Sequence, residues 1–236
     1  MDLCRKRDIF LIEDAAHAIG TRYKGTYIGG ICSTATVFSF HPIKNMTTAE
    51  GGMITCHDEG LSHKLALCRF HGISRDAWKA YGSGAVPLYD LEFPSLKFNL
   101  TDLQSAIGRV QLKKLESFNA RRKQIARQYL DELTRIDGLD LPAEEEEQAW
   151  HLFVVKINGK SKITRDDFAL KLKEWNIGVG IHFLAVNSLS FFRVSAPNAT
   201  PMASQVGNTC VSLPLYPLMS DDDVDYVIGC IKELMK

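Results

Sequence analysis

Residues 9–52 decide the fold of this chain, and they read IFLIEDAAHAIGTRYKGTYIGGICSTATVFSFHPIKNMTTAEGG. The apolar residues 9–12 predict a short buried strand, and this strand delivers the carboxylate of Asp14 at its carboxyl end. A second apolar run, residues 35–40, predicts another strand that leads into a loop carrying Lys44. Because ligand sites of open α/β sheets lie at the carboxyl ends of the strands, we expect the acid and the lysine to meet at one site.

Composition and charge exclude several classes of protein. Hydrophobic residues make up 45% of the 236 residues and charged residues 24%, which is typical of a soluble globular protein with a sizeable core. Basic and acidic residues balance at 28 each, so no bulk positive field favours nucleic-acid binding. No apolar run approaches the roughly 18 residues of a membrane helix, and the six cysteines are scattered without a C-x-x-C pair. We therefore expect a cytoplasmic protein with reduced, mostly buried thiols that contacts neither nucleic acid nor membrane.

Motifs of several other chemistries are missing from the sequence. The seven histidines show no H-E-x-x-H or comparable ligand spacing, so a metal site is not expected. The pairs Gly29-Gly30 and Gly51-Gly52 form neither a dinucleotide fingerprint nor a P-loop, and nothing resembles a nucleophile elbow.

The segments on either side of the stretch have simpler patterns. Residues 1–7, MDLCRKR, look like the last turns of a helix that precedes a parallel strand. From Leu61 the apolar spacing predicts a helix that ends before Gly72. Residues 74–98 contain glycines, prolines and aromatic residues and are too long for a plain connector, so we expect a binding or interface loop.

A long helix is predicted next. Thr101 and Gln104 form a capping box that opens it, and the apolar pattern continues to Leu133. Its apolar positions are Leu103, Ala106, Ile107, Val110, Leu115, Phe118, Ile125, Tyr129 and Leu133. Its basic side chains have no interleaved aromatic residues, which favours a solvated helix face over nucleic-acid contact. They are Lys113, Lys114, Arg121, Arg122, Lys123 and Arg127.

The rest of the chain predicts a small α/β domain. Residues 138–148, with their acidic run, indicate a solvated loop, and residues 152–157 and 178–183 each indicate a strand. Thr164 is predicted to cap a helix that ends near residue 175. Ser220 is predicted to cap the last helix, whose apolar face consists of Val224, Val227, Ile228, Ile231 and Leu234.

Several motifs resemble one enzyme family. The motifs EDAAHAIG, FSFHPIKN, AEGG and KFNLTDLQSAIG resemble the DegT/DnrJ/EryC1/StrS family of sugar-nucleotide aminotransferases, which have fold type I and use pyridoxal 5'-phosphate. WHLFVVKI, IGVGIHF and SLPLYP also resemble its UDP-4-amino-4-deoxy-L-arabinose/oxoglutarate aminotransferase branch, which implies a role in lipopolysaccharide or lipid A modification. The resemblance covers nearly the whole chain.

The resemblance also predicts the domains. It implies that residues 1–118 form the carboxyl-terminal part of a large domain with a mixed, mostly parallel sheet, and that residues 119–236 form the small domain. The amino-terminal half of the family fold has no counterpart in the sequence. We therefore expect Met1 to be a late start and the chain to be the carboxyl-terminal part, or a truncated product, of a larger polypeptide.

Lys44 and Asp14 are the central residues that the resemblance implies. Lys44 would form the Schiff base with the cofactor and move a proton at the substrate carbon, and a lowered pKa would favour its neutral form. A family offshoot that removes a sugar hydroxyl has histidine at this position, so the lysine favours amino transfer. Asp14 would be the buried carboxylate that keeps the ring nitrogen of the cofactor protonated. By themselves, a loop lysine is more often a surface residue, and a strand-end acid can cap a turn.

Four further residues complete the predicted site. The resemblance places His17 beside the cofactor ring and assigns Ser39 to the cofactor phosphate. It also makes Asn99 the residue that reaches the phosphate in a partner subunit's site, which implies a homodimer, and it places His182 near the sugar nucleotide. A core histidine, an inward strand serine and a loop asparagine before a helix cap are the alternatives for His17, Ser39 and Asn99.

The sequence thus predicts an aminotransferase that moves an amino group from glutamate, leaving 2-oxoglutarate, to a keto sugar nucleotide of the UDP-4-keto-pentose type. The alternative is a non-catalytic remnant or partner subunit of the same fold that lacks full cofactor binding, because the phosphate turn and stacking ring of the family's amino-terminal half are missing.

Overall fold

The computed structural model describes residues 2–74, 90–145, 147–194 and 200–236. The chain divides into two compact units, Met1–Leu115 and Glu116–Lys236. Most of the predicted binding or interface loop, residues 75–89, lies outside the described residues.

The first unit is built on a small mixed sheet. Its strands are β1 (Ile12–Asp14), β4 (Ala35–Ser39) and β5 (Gly52–Thr55), in this order across the sheet, with β1 parallel to β4 and β4 antiparallel to β5. A separate two-stranded hairpin, β2-β3, lies between β1 and β4 in the chain. The elements are α1 (Asp2–Lys6), β1 (Ile12–Asp14), β2 (Arg22–Tyr23), β3 (Thr26–Tyr27), β4 (Ala35–Ser39), β5 (Gly52–Thr55) and α2 (Glu59–Cys68). The predicted order of helix, strand and parallel strand is confirmed.

Strand β1 differs from its prediction in position and in burial. It consists of Ile12–Asp14 rather than residues 9–12. Ile9, Phe10 and Ile12 have exposed fractions of 53%, 83% and 67%, so the prediction of a buried strand is wrong for this unit. The reason is topological: β1 lies at one edge of the described sheet, and burial of a strand depends on what packs against it rather than on its own sequence.

Apolar side chains of the first unit are only partly covered. Its buried cluster consists of Ala15, Phe38, Phe40, Met46 and Leu115. Large apolar side chains remain exposed on α1, on the sheet and in the segment that leads into the next helix, including Leu3, Met53, Leu96 and Phe98.

Helix α3 (Asp102–Leu133) continues from the first unit into the second. The predicted capping box is confirmed, because the Gln104 backbone N–H donates to Thr101 Oγ1 (3.2 Å) and the Thr101 backbone N–H donates to Gln104 Oε1 (3.1 Å). The predicted helix before Gly72 is α2, which Asp58 caps by accepting from the Leu61 N–H at 2.6 Å.

The second unit has a continuous core and an antiparallel sheet whose strands are β6 (Leu139–Asp140), β7 (Phe153–Ile157) and β8 (Cys210–Leu213), in this order. Its elements after α3 are β6 (Leu139–Asp140), β7 (Phe153–Ile157), α4 (Arg165–Glu174), α5 (Ser190–Arg193), α6 (Pro201–Thr209), β8 (Cys210–Leu213) and α7 (Asp221–Leu234). Fully buried side chains from α3, the sheet, α4 and α7 meet in this core, among them Ile125, Tyr129, Phe153, Phe168, Val211 and Ile231. The predicted caps Thr164 and Ser220 accept from the N–H groups of Asp167 and Asp223, each at 3.1 Å.

Two predictions for the second unit are wrong, and one strand was not predicted. Residues 178–183 make a single β-bridge, Gly180 to Ser212, and not a strand. The strand that pairs with β7 is instead β8, which the sequence did not predict. Residues 138–148 are not wholly a solvated loop, because they include β6 with buried Leu139. In each case the outcome is set by pairing with distant residues.

The basic face of α3 is also only partly solvated. Arg122 is buried, and its Nη1 donates to the backbone oxygens of His151 (3.1 Å) and Leu215 (2.7 Å). Burial lowers the pKa of Arg122 to about 10, so its guanidinium remains a cation at neutral pH. The prediction of a solvated face is therefore wrong for this residue.

The six cysteines are all free thiols, but they are not mostly buried. Cys210 is buried, Cys32 is exposed, and Cys4, Cys56, Cys68 and Cys230 are half-buried.

Candidate active site

Two strand ends bring the first site residues together. In the parallel pair β1-β4, Asp14 aligns with Val37, and Ser39 lies two residues further along β4. Both side chains therefore stand at the carboxyl ends of adjacent parallel strands, as the sequence predicted. On the other side of β4, Ser39 aligns with Gly52 of the AEGG motif.

The loop that carries Lys44 is held at both ends. The Phe40 N–H donates to the Gly51 oxygen (2.9 Å), and the Thr48 N–H donates back to the Phe40 oxygen (3.1 Å). Gly51 has φ +146°, and a Cβ there would lie 2.6 Å from Thr48 Oγ1, so both backbone strain and lack of space favour glycine. Lys44 itself donates its backbone N–H to the His41 oxygen at 3.0 Å, which closes a turn inside the loop.

Lys44 lies in a partly desolvated position within electrostatic range of Asp14. Burial lowers the pKa of the Lys44 amine below its ordinary value, and the Asp14 carboxylate acts in the opposite direction and partly restores it. The two residues are 30 positions apart in the sequence, so the fold has brought them together. A lysine with a lowered pKa has more neutral amine at physiological pH, which is the form that attacks a carbonyl.

Asp14 and His17 are more open than the sequence predicted. Asp14 is exposed, and its Oδ1 accepts from the Ala16 N–H at 3.0 Å. His17 follows in the same turn and is also exposed. The prediction of a buried carboxylate is therefore wrong for this unit, for the same reason that β1 is exposed.

Ser39 and Asn99 are half-buried polar residues of the same unit. Ser39 Oγ accepts from the His41 N–H at 3.4 Å. The side-chain oxygen of Asn99 is buried and has no hydrogen-bond partner among the described residues. Leaving such a group unbonded costs about 1–3 kcal/mol, so Asn99 is not explained by the contacts of this chain alone.

His182 belongs to the second unit. It is half-buried, and its Nδ1 lies 2.8 Å from the hydroxyl of Ser212. Ser212 was not singled out from the sequence. It lies in SLPLYP, which the sequence pattern did not identify as a strand.

A second polar pair was also missed. Thr36 is buried and donates its hydroxyl to Glu13 Oε2 at 3.0 Å, on residues that align across β1 and β4. Successive residues of a strand point to opposite faces of the sheet, so Glu13 lies on the face opposite Asp14. The Thr36–Glu13 hydrogen bond therefore joins β4 and β1 on that opposite face. A threonine and a glutamate 23 residues apart carry no local signal of such contact.

The residues present fit pyridoxal phosphate by their chemistry. Lys44 offers an amine whose pKa is lowered, Asp14 offers a carboxylate for a cationic ring nitrogen, and Ser39 offers a hydroxyl for a phosphate. Among the described residues no group of three or more His, Cys, Asp or Glu side chains is placed to hold a metal ion. No described helix is long and apolar enough to cross a membrane.

Known proteins are similar to this chain over nearly its whole length. The chain is 42% identical to the uncharacterized protein MJ1066 of Methanocaldococcus jannaschii, over 100% of this chain and 62% of that protein. It is 39% identical to the spore coat polysaccharide biosynthesis protein SpsC of Bacillus subtilis, over 99% of this chain and 62% of that protein. The chain thus spans about three-fifths of the length of these relatives.

A solved structure agrees with the sequence relatives. The putative sugar aminotransferase Spr1654 of Streptococcus pneumoniae in its PMP-form matches with a TM-score of 0.87 at 31% identity, over 96% of this chain and 59% of that chain. Its PLP-form matches with a TM-score of 0.84 at 30% identity, over 96% and 58%. The predicted fold is confirmed, and so is pyridoxal phosphate as the cofactor of the family. Closeness to the UDP-4-amino-4-deoxy-L-arabinose branch stays a prediction.

The family model that matches is described as the DegT/DnrJ/EryC1/StrS aminotransferase family, and it covers residues 1–232. Because this match, the relatives and the lysine between two strand ends all agree, the chain belongs to the DegT/DnrJ/EryC1/StrS aminotransferase family.

Proposed function

We propose that this chain carries the lysine-bearing part of a pyridoxal-phosphate-dependent sugar aminotransferase. The amino donor is glutamate, which leaves as 2-oxoglutarate, and the acceptor is a keto sugar carried on a nucleotide, of the UDP-4-keto-pentose type. The name of SpsC supports a product that enters a surface polysaccharide. The whole activity is a proposal, because the chain spans only 62% of its relatives' length.

One observation carries the proposal: the Lys44 amine has a pKa lowered by burial and lies within electrostatic range of Asp14. Desolvation favours the neutral amine, which is the form that can attach covalently to the cofactor. The Asp14 carboxylate attracts a cationic ring nitrogen at the same site. The exposed Lys171 shows the opposite shift, because Glu174 raises its pKa.

Four residues of this chain would have separate roles in the reaction. When bound, pyridoxal phosphate supplies an electron sink for the carbon that gains or loses the amino group. Asp14 would hold the ring nitrogen in its charged form, and the Ser39 hydroxyl would donate to a phosphate oxygen. His17 would contact the cofactor ring or its phenolic oxygen. The Lys44 amine would move a proton at the reacting carbon of the substrate.

We further propose that the active protein is a homodimer in which Asn99 serves the partner's site. The buried side-chain oxygen of Asn99 has no hydrogen-bond partner among the residues that the structure describes, and the neighbouring Leu96, Phe98 and Leu103 are exposed by 63%, 71% and 81%. Apolar side chains around an unsatisfied amide are typical of a surface that another chain covers. A second copy is the occupant that the predicted role of Asn99 requires.

Borohydride trapping tests the role of Lys44. The purified chain is incubated with pyridoxal phosphate, reduced, digested and analysed by mass spectrometry. We expect a visible absorbance band and a reduced cofactor adduct on the Lys44 peptide. Lys44→Ala should lose both, whereas Lys64→Ala, which removes an exposed lysine of α2, should keep both. Retention of band and adduct by Lys44→Ala would exclude Lys44 as the anchor.

The alternative function is a non-catalytic partner or remnant of the same fold. The exposure of Asp14 and His17 favours it, because an exposed carboxylate holds a cationic ring less strongly than a buried one. A chain that stays colourless and unmodified at millimolar pyridoxal phosphate would support this alternative and would contradict catalysis by this chain alone.

A further inference from the structure

The His182 ring is held by a hydroxyl and by a backbone bridge. Ser212 lies in β8, and its Oγ is 2.8 Å from Nδ1 of His182. The backbone of Ser212 also pairs with that of Gly180, with N–H to oxygen distances of 3.1 Å and 2.7 Å in the two directions. Ser212 therefore fixes both the segment that carries the histidine and the ring itself.

Gly180 leaves space for the His182 ring because it has no side chain. A Cβ on Gly180 would lie 2.5 Å from Cε1 and 3.1 Å from Nδ1 of His182. The ring therefore packs directly over the glycine backbone, and any larger residue would displace it. This glycine is required by space and not by an unusual backbone angle.

Burial of the serine decides which ring nitrogen carries the proton. Ser212 is only 4% exposed, and its hydroxyl has no other hydrogen-bond partner among the described residues. A buried hydroxyl that accepted from the ring would leave its own hydrogen unbonded, which is unfavourable. The hydroxyl therefore donates to Nδ1, and the neutral ring carries its hydrogen on Nε2.

The opposite nitrogen is left available. Nε2 of His182 has no hydrogen-bond partner in the described part of the chain, and it is not among the buried unpaired atoms. It is thus a hydrogen-bond donor at the surface of the second unit, with its direction set by the serine and the glycine.

We propose that Ser212 is a positioning residue that locks His182 as an Nε2–H donor for an oxygen of the sugar substrate. This inference rests on the proposed function, and the expectation that His182 lies near the sugar nucleotide comes from the family resemblance. The ligand chemistry is an oxygen acceptor, such as a phosphate or a sugar oxygen. An anionic or carbonyl oxygen accepts from Nε2–H but would be repelled by the lone pair of the other tautomer.

Nuclear magnetic resonance of the ring nitrogens tests the lock without any cofactor. In long-range proton–nitrogen spectra of the full chain, with His182 assigned by His182→Gln, we expect a protonated Nε2 and a bare Nδ1. Ser212→Ala should give a mixture of both tautomers. Ser33→Ala removes another buried serine, in the first unit, and should leave the His182 signals unchanged. A wild-type ring protonated on Nδ1, or an unchanged tautomer in Ser212→Ala, would overturn the proposal.

Binding and kinetic measurements test whether the Nε2–H group of His182 contacts the sugar substrate. A UDP-pentose should shift the His182 Nε2 signal in the wild type, and an unmoved signal would overturn the substrate contact. In the active protein, Ser212→Ala should raise KM for the sugar nucleotide by about 2- to 10-fold, as expected for one hydrogen bond, with little change in kcat. A loss of kcat alone would overturn a positioning role in binding. If no transamination is detected even in the wild type, the proposed function fails, while the tautomer and the UDP-pentose titration still decide the role of Ser212.

Discussion

The two halves of helix α3 show how one amphipathic pattern can have two different outcomes. In the first half, Leu103 and Ile107 lie on the predicted apolar face and are 81% and 46% exposed. In the second half, Tyr129 and Leu133 lie on the predicted apolar face and are fully buried. The difference lies in the surroundings, because the second unit surrounds its half of the helix with a sheet and two further helices. A pattern thus identifies the face that can be buried, but not whether this chain buries it.

The same contrast applies to the two units. The second unit combines buried side chains from helices and strands into one core, which is the arrangement of an independently stable fold. The buried cluster of the first unit is smaller, although this unit carries Lys44 and Asp14. The residues of the proposed site therefore belong to the unit with the smaller buried cluster.

The largest expected difference is between two leucines of α3. Leu133→Ala should lower the free energy of unfolding by about 2–5 kcal/mol, because it opens a cavity in a closed core. Leu103→Ala should change this free energy for the monomer by less than about 0.5 kcal/mol, because the side chain is exposed in the single chain. Urea unfolding followed by circular dichroism measures both. If Leu103→Ala lowered the free energy of unfolding as much as Leu133→Ala, the first half of the helix would be buried. The two halves of α3 would then not differ.

Arg122 provides the next test, since a buried cation has no counterpart in the first half of α3. Arg122→Met keeps most of the side-chain volume but leaves the oxygens of His151 and Leu215 without their donor. We expect a loss of about 2 kcal/mol in the free energy of unfolding, because buried unpaired carbonyls are unfavourable. Lys113→Met, at an exposed position, is the matched control and should be close to neutral. Equal effects of both would mean that the two hydrogen bonds of Arg122 do not stabilise the unit.

Phe98 tests whether a second copy covers the open face of the first unit. Phe98→Ser should weaken self-association by roughly tenfold, about 1.4 kcal/mol, if this ring is buried between two copies. Analytical ultracentrifugation over a range of concentrations measures the effect. Phe191→Ser removes another exposed ring, in the second unit (82% exposed against 71% for Phe98), and should leave association unchanged. An unaltered dimer in Phe98→Ser, or a chain that is monomeric throughout, would contradict the proposed interface.

Elements with local signals were predicted well, and elements that depend on distant partners were not. The caps Thr101, Thr164 and Ser220 were found because a capping hydrogen bond joins residues three positions apart. Strand β8 was missed because all four of its residues are buried, so that no alternation marks it. Its partner residues in β7 are more than 50 positions away, which no local pattern reports.

The site follows the same rule. Asp14, Ser39 and Lys44 were predicted from strand ends and from motifs, and the fold brings Asp14 and Lys44 within electrostatic range. The exposure of Asp14 was not predicted, because it depends on what covers β1. Ser212 was not predicted as the partner of His182, because the two residues are 30 positions apart and meet only through the β-bridge.

The smallest expected effect concerns the pKa of Lys44 in the first unit, which is compared with the pKa of the buried Arg122 in the second unit. Burial lowers the pKa of both, but only for Lys44 does a nearby carboxylate oppose the effect. Asp14→Asn removes that negative charge, so the pKa of Lys44 should fall further, and its amine should be labelled faster by trace acetic anhydride near pH 8. Peptide mass spectrometry measures the labelling, and Lys64 serves as an internal control lysine.

Salt makes this last test specific. Because Asp14 is exposed, added salt should screen its charge and lower the pKa of Lys44 in the wild type, in the same direction as Asp14→Asn. In Asp14→Asn the same salt should have little further effect. A pKa that rises or stays constant in Asp14→Asn would show that the carboxylate does not act on Lys44. Burial alone would then set the pKa of Lys44, as it does for Arg122. The electrostatic interaction between Asp14 and Lys44, on which the proposed chemistry depends, would be absent.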